Sequence, residues 1–285
     1  MFRALRWGDM EHLKSPLVIV LILLVVGEGL YITYPSWSPL LSVFTRPSET
    51  ATSTDEGSVS AIGPKSIEEN GKYYDISTSY PGETPLKKTA GALADQRAVS
   101  AIKGFEQNTI ESFKENGNFA NLTAEDIKIQ GLDQGRKYTL TIDYKLYTSP
   151  MTISYVLDIY EDTLGAHGNG FYRTFTFDSA TGAGVLFGDL FTPNSDYLGK
   201  ISSLARAKLP AIIAKAEGVS ISQVDMQAIN DGASADGDNF QSFYLDGKTL
   251  VILFPPYQVA AYAAGPQTLR IPLSDLKAIL KTKYQ

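Results

Sequence analysis

The 285-residue chain contains no cysteine and only two histidines, His12 and His167. The first absence excludes a disulfide framework, thiolate zinc sites, a cysteine nucleophile and a lipid-modified N-terminal Cys. The second leaves too few imidazoles for a metal site built from two or three of them, although carboxylate sites for calcium or magnesium stay open. Positive charge is also short: 25 Lys and Arg stand against 31 Asp and Glu, a formal net charge of -6. No basic footprint for nucleic acid exists, so no nucleic-acid partner is expected. G-x-S-x-G, the P-loop, the dinucleotide fingerprint and H-E-x-x-H are all missing, which lowers the expectation of an enzyme; no cofactor and no resident metal are expected.

What is present begins with ten uninterrupted apolar residues, Leu17 to Val26. With GEGLYITY behind them, the stretch from Ser15 to Tyr34 reaches about the ~20 residues that cross a bilayer core. No small-x-small cleavage site follows, so a retained signal anchor is expected over residues 15–34 rather than a cleaved leader. Glu28 lies near its outer end, and Tyr31, Tyr34 and Trp37 suit the interfacial aromatic belt. Arg3, Arg6 and Lys14 precede the run, which places residues 1–14 in the cytoplasm and everything after the anchor outside it. The expected location is therefore the cell membrane, crossed once. Residues 35–64 are rich in Ser, Thr, Pro and Gly and read as a flexible tether.

From Lys65 the pattern is that of a folded domain with ample apolar content, 44% over the whole chain. Tyr73–Tyr80 is expected as a strand, and Asp95–Asn116 as a helix carrying Val99, Ile102, Phe105, Thr109 and Phe113 on one stripe and stopped by Gly117. Leu140–Leu146 and Met151–Ile159 alternate as two strands of a hairpin, and Phe171–Phe177 and Gly184–Phe187 extend the sheet. Asn194–Glu217 reads as a second helix, bent at Pro210. Phe240–Leu245 and Lys248–Phe254 flank Asp246-Gly247, a strong hairpin signal. Thr268–Ile271 is a last short strand, and Pro272 opens a short terminal helix. The fold class expected is α+β: a mainly antiparallel sheet packed by two or three helices and preceded by one transmembrane helix.

Candidates for chemistry are few. Asn230–Asn239 (NDGASADGDN) is dense in carboxylates but lacks the spacing and closing Glu of an EF-hand, so it reads as a solvated connection. Asp158 and Asp162 share one strand face with Tyr160 between them, while Glu161 points the opposite way, which weakens an acid/base pairing. Asn121-Leu-Thr123 matches a glycosylation acceptor, a pattern that recurs by chance. GAHGNG, residues 165–170, surrounds His167 with glycine; without a partner for a base in view, such a histidine more often hydrogen-bonds its own loop than acts as a catalyst. FPPYQVAAYAAGP sets Tyr257 and Tyr262 in a small-residue stretch, either as contacts for a partner or as packing at the sheet edge.

Two segments, LGAHGNGFYRTFTFDSATGAGVLFGDLF (164–191) and FYLDGKTLVILFPPYQVAAYAAGPQTLRIPLSDLK (243–277), resemble the C-terminal domain shared by RsiV-type membrane proteins, catalogued as domain of unknown function 3298. The matching features are Gly165-Ala166-His167-Gly168, Asp178, Gly182, Asp189-Leu190-Phe191, Pro256-Tyr257, Tyr262-Ala263-Ala264-Gly265 and Ile271-Pro272. Tyr73 to about Gly117 is similar to the companion N-terminal domain, the 4163-like one, so the resemblance covers roughly residues 65–285. It implies an N-terminal part of the outer region over 65–183 and a C-terminal domain over 184–285. It also implies a binding or sensor module for lysozyme or a peptidoglycan-associated ligand, without catalysis of its own, with Tyr257, Tyr262 and His167 as binding candidates. Residues 1–14 are expected to be too short to fold a helix pair that sequesters a sigma factor, and no deacetylase domain is expected after Gln285. Two other classes remain open: a wall-polymer hydrolase or deacetylase accessory using Asp158, Glu161 or His167, and a structural membrane tether.

Overall fold

The computed structural model describes residues 64–285; the expected tail and anchor, and the expected linker except Pro64, lie outside the described residues. All described residues fall within one compact unit of the chain. Eight strands are present: β1 (Pro64–Asn70), β2 (Tyr74–Pro81), β3 (Tyr138–Thr148), β4 (Thr152–Asp162), β5 (Asn169–Asp178), β6 (Phe243–Asp246), β7 (Thr249–Phe254) and β8 (Gln267–Pro272). The described α-helices are α1 (Leu86–Thr89), α2 (Ala92–Gly117), α3 (Ala124–Ile129), α4 (Tyr197–Glu217) and α5 (Met226–Gly232). The fold is α+β and mainly antiparallel, with five helices where two or three were expected. Among the described residues no helix is long and apolar enough to cross a membrane.

The strands form two sheets, ordered β1-β2-β3-β4-β5 and β6-β7-β8. Every pairing is antiparallel except β2 with β3, where α2 supplies the crossover that parallel neighbours require. Register follows from alternation. On the α2 side of the first sheet lie Ile76, Leu140, Ile142, Tyr155, Leu157, Ile159 and Phe175, and Phe105 of α2 meets Phe175 edge-on at 5.8 Å. On the other side Val156 packs with Tyr244, Val251 and Leu253 of the second sheet. The second sheet turns Phe243, Leu245, Leu250, Ile252, Phe254, Leu269 and Ile271 toward Ile201, Ala205, Leu209 and Ile213 of α4. The result is four layers: helix, sheet, sheet, helix.

Several local expectations are corrected. β1, sequence PKSIEEN, spans the expected junction of linker and folded domain and is an exposed edge strand whose alternate residues have no core to meet. α2 continues through Gly117, and Asn118 takes the left-handed conformation that ends it (φ 46°). A Cβ on Gly117 would sit 2.2 Å from the Phe119 ring, so glycine lets that ring fold back over the helix end. Gly184–Phe187 is no strand: only Gly184 makes a bridge, to Phe177, because Asp189 accepts from the Leu186 backbone N–H and starts a 3₁₀ turn over Phe187–Leu190. α4 starts at Tyr197 rather than Asn194 and carries Pro210 inside it on the way to its expected end at Glu217. After Pro272 a 3₁₀ turn, Leu273–Leu276, replaces the expected helix. Asn121-Leu-Thr123 leads into α3, where Thr123 and Asp126 form a capping box.

Candidate binding site

Two connections at one end of the sheets meet. The first joins β4 to β5: Asp162 accepts from the Leu164 backbone N–H at 2.7 Å, Leu164 takes φ 63°, and the chain then presents His167. The second leaves β7 as Pro255-Pro256-Tyr257-Gln258, closed by a Gln258 N–H to Pro255 C=O bond of 3.2 Å. Pro256 fixes φ at the second position and Tyr257 at the third has φ 70°, which is a type II arrangement. That third position ordinarily takes glycine, because an L side chain there costs on the order of 1–2 kcal/mol. Here it carries a half-exposed tyrosine, 49% accessible.

The two loops interlock through side chains. His167 Nδ1 lies 3.0 Å from the Gly168 carbonyl, and since a carbonyl only accepts, Nδ1–H is the donor. In the neutral ring Nε2 is then left as an acceptor, and it receives the Tyr257 hydroxyl at 2.7 Å. The imidazole stacks on Tyr262, with centroids 3.8 Å apart and planes 17° apart, and the Tyr262 hydroxyl donates to the same Gly168 carbonyl at 3.0 Å. Tyr257 and Tyr262 lie 5.5 Å apart at 33°. Gly168 is buried beneath Tyr160: a Cβ there would be 2.3 Å from the Tyr160 hydroxyl. Tyr160 itself is 43% exposed, and its hydroxyl end covers the same Gly168 whose carbonyl His167 and Tyr262 engage.

The support beneath is polar and specific. Gln258 donates from Nε2 to the carbonyls of Gly232 (2.8 Å) and Asn239 (3.0 Å), tying the Tyr257 turn to the connection after α5. Gly232 has no room for a Cβ, which would approach the Gln258 carbonyl oxygen to 1.7 Å. The carboxylate-rich Asn230–Asn239 stretch is this buttress. Within it Asp236 caps the turn at Asp238, and among the described residues no group of three or more His, Asp or Glu is placed to hold a metal.

All three expected binding residues, separated by up to 95 positions, are thus brought together. Tyr160 was missed as a member; the signal that could have found it is the glycine at 168. The acid/base candidates do not converge. Asp158 stands opposite Asp143 on β3 and Tyr172 on β5, and its pKa is raised by burial and by Asp143, with Lys145 opposing. Glu161 lies on the α2 face of the same strand, its pKa raised by burial.

Comparison with known proteins places part of this surface. The Bacillus subtilis peptidoglycan-N-acetylmuramic acid deacetylase PdaC is 26% identical over 216 residues, which cover 75% of this chain. The match spans 41% of that protein's length. A DUF3298 family member from Bacteroides fragilis has 19% identity and TM-score 0.49, covering 78% of this chain and 94% of its own. A DUF3298 family protein from Pseudomonas aeruginosa has 13% identity and TM-score 0.47, covering 79% and 97%. The family model described as "Protein of unknown function (DUF3298)" matches residues 188–274. The span that matches the DUF3298 model contributes Tyr257 and Tyr262 to the cluster, while Tyr160 and His167 come from outside it.

Proposed function

We propose that this chain is a membrane-anchored, extracytoplasmic recognition module of the RsiV type that binds a peptidoglycan-associated ligand through Tyr160, His167, Tyr257 and Tyr262, without catalysis of its own. The observation that carries this is Tyr257: a tyrosine occupies a glycine-type backbone position, half exposed, with its hydroxyl fixed by His167. Strain retained at an exposed aromatic is the mark of a preorganised contact, since it contributes nothing to the core. Flat phenol faces suit the apolar faces of sugar rings, and aromatic anchors dominate many interfaces. The kinship with PdaC, named for peptidoglycan, supports a glycan ligand. The acidic chain would also draw a cationic protein such as lysozyme, in a salt-dependent way.

Calorimetric titration of the full-length chain with soluble peptidoglycan fragments and, separately, with lysozyme at two salt concentrations tests this. Fragment binding should be saturable and weaken at least tenfold in Tyr257→Ala/Tyr262→Ala. Unchanged affinity in that variant, with an unchanged melting temperature, removes the cluster from the site. A second reading, an accessory to wall-polymer hydrolysis or deacetylation, draws on PdaC's name. Its test is release of acetate or reducing ends, abolished by His167→Ala.

A further inference from the structure

We infer that a second site, at the opposite end of β4 from the aromatic cluster, binds an oxyanion carried on a small apolar body. A cleft of about 520 Å³ opens where the β3–β4 turn, the β6–β7 turn and the segments after β8 meet. Its wall includes Met151, Leu245 and Leu273, and Lys248, Lys277 and Lys283 line it as well. Lys283 is engaged by Asp178 at 3.1 Å. Among the described residues, Lys248 and Lys277 have no carboxylate within ion-pair distance.

Two uncompensated ammonium groups in one concavity stand out in a chain of net charge -6. Concave low-dielectric walls concentrate the field of such charges, so an anion is attracted there more strongly than to scattered surface lysines. A second observation points the same way. Tyr284, also in the lining, is 2% exposed, and although the Lys283 ammonium lies beside its hydroxyl, no acceptor for the hydroxyl proton is found. A buried donor without an acceptor is costly, and an oxyanion drawn in beside Lys283 would satisfy it once the lining opens over the enclosed hydroxyl. The apolar wall then selects an anion with an aryl or short acyl body over a bare ion, as in small-molecule sites generally. Phosphate and carboxylate share this chemistry.

The test is calorimetry of the full-length chain with phenyl phosphate, benzoate, inorganic phosphate and phenol. Phenyl phosphate, benzoate or both should bind saturably at one site, inorganic phosphate at least tenfold more weakly, and phenol not measurably. The ratio of the first two identifies the preferred oxyanion. Lys248→Ala/Lys277→Ala, at exposed positions, should weaken binding at least tenfold with the melting temperature unchanged, and Tyr284→Phe should weaken it severalfold. No saturable heat from either aryl anion, or wild-type affinity in the double lysine variant, overturns the site. Inorganic phosphate binding as tightly as phenyl phosphate overturns the apolar selection, and wild-type affinity in Tyr284→Phe overturns the part assigned to the hydroxyl.

Discussion

The first sheet buries polar groups on both faces, and the two faces treat them differently. Against the second sheet, Ser154 and Thr176 share a hydrogen bond of 3.0 Å. Thr176 also donates to the Phe243 carbonyl at 3.4 Å, and Thr174 accepts from the Phe243 N–H at 3.2 Å. Against α2, Glu106 is wholly inaccessible and neither carboxyl oxygen has a partner in hydrogen-bond geometry; Thr78 beside it is likewise unpaired. One seam is stitched and the other is left open. A satisfied pair can stay buried at any pH, whereas an unsatisfied carboxyl can stay buried only by keeping its proton.

The largest expected effect follows from that contrast. Burial raises the Glu106 pKa from 4.5 to about 8, with nearby Thr78 opposing slightly, and the charge of Glu106 is also felt by Tyr144 on β3. A raised carboxyl pKa means the folded state holds the proton after the unfolded state has lost it. Its stabilising contribution is complete below about pH 4.5 and falls by about 1.4 kcal/mol per pH unit as pH rises toward 8. Urea unfolding of wild type and Glu106→Gln at pH 5, 7 and 9 checks this. The variant should match wild type at pH 5 and become progressively the more stable of the two above it. Parallel curves would mean that Glu106 finds a partner when ionised, and the two seams would then be alike.

The stitched seam predicts a smaller cost without that pH dependence. Ser154→Ala should destabilise by about 1–3 kcal/mol, since Thr176 loses its closer partner in a buried position. Ser154→Ala/Thr176→Val should cost less than the sum of the two single changes, because the bond they share is lost only once, leaving the second change only the Thr176 bond to the Phe243 carbonyl to break. Additive losses would show that the Ser154–Thr176 contact is not coupled.

How far this was legible depended on whether packing or contact order carried the information. The alternation at Leu140–Leu146 and Met151–Ile159 and the Asp246-Gly247 turn announced β3, β4, β6 and β7, because each pattern is local and one face of each strand is buried. β1 was invisible, since PKSIEEN buries too little to alternate. Glu106 falls between Phe105 and Gln107 on a helix whose stripe was read from its apolar members, so its burial was not foreseen. The site was half legible: Tyr257, Tyr262 and His167 could each be named, but their union depends on two loops ninety residues apart that only the stacked sheets bring together.

Beyond both seams lies the aromatic cluster, where strain rather than an unpaired group is retained, and it predicts the smallest change in stability. Tyr257→Gly suits the φ of 70° that tyrosine tolerates poorly. It also removes the hydroxyl that His167 Nε2 accepts, a bond worth about 1 kcal/mol but largely exposed to water. The two nearly offset, so stability should shift by no more than about 1 kcal/mol in either direction. Peptidoglycan-fragment affinity, by contrast, should fall at least tenfold. Tyr257→Phe separates the causes: it keeps both the strain and the ring, and should retain most of the affinity if the aromatic face makes the contact. If Tyr257→Gly is instead destabilised by several kcal/mol, the turn is a structural clamp on the β4–β5 loop, and the strain at Tyr257 belongs to the fold rather than to recognition.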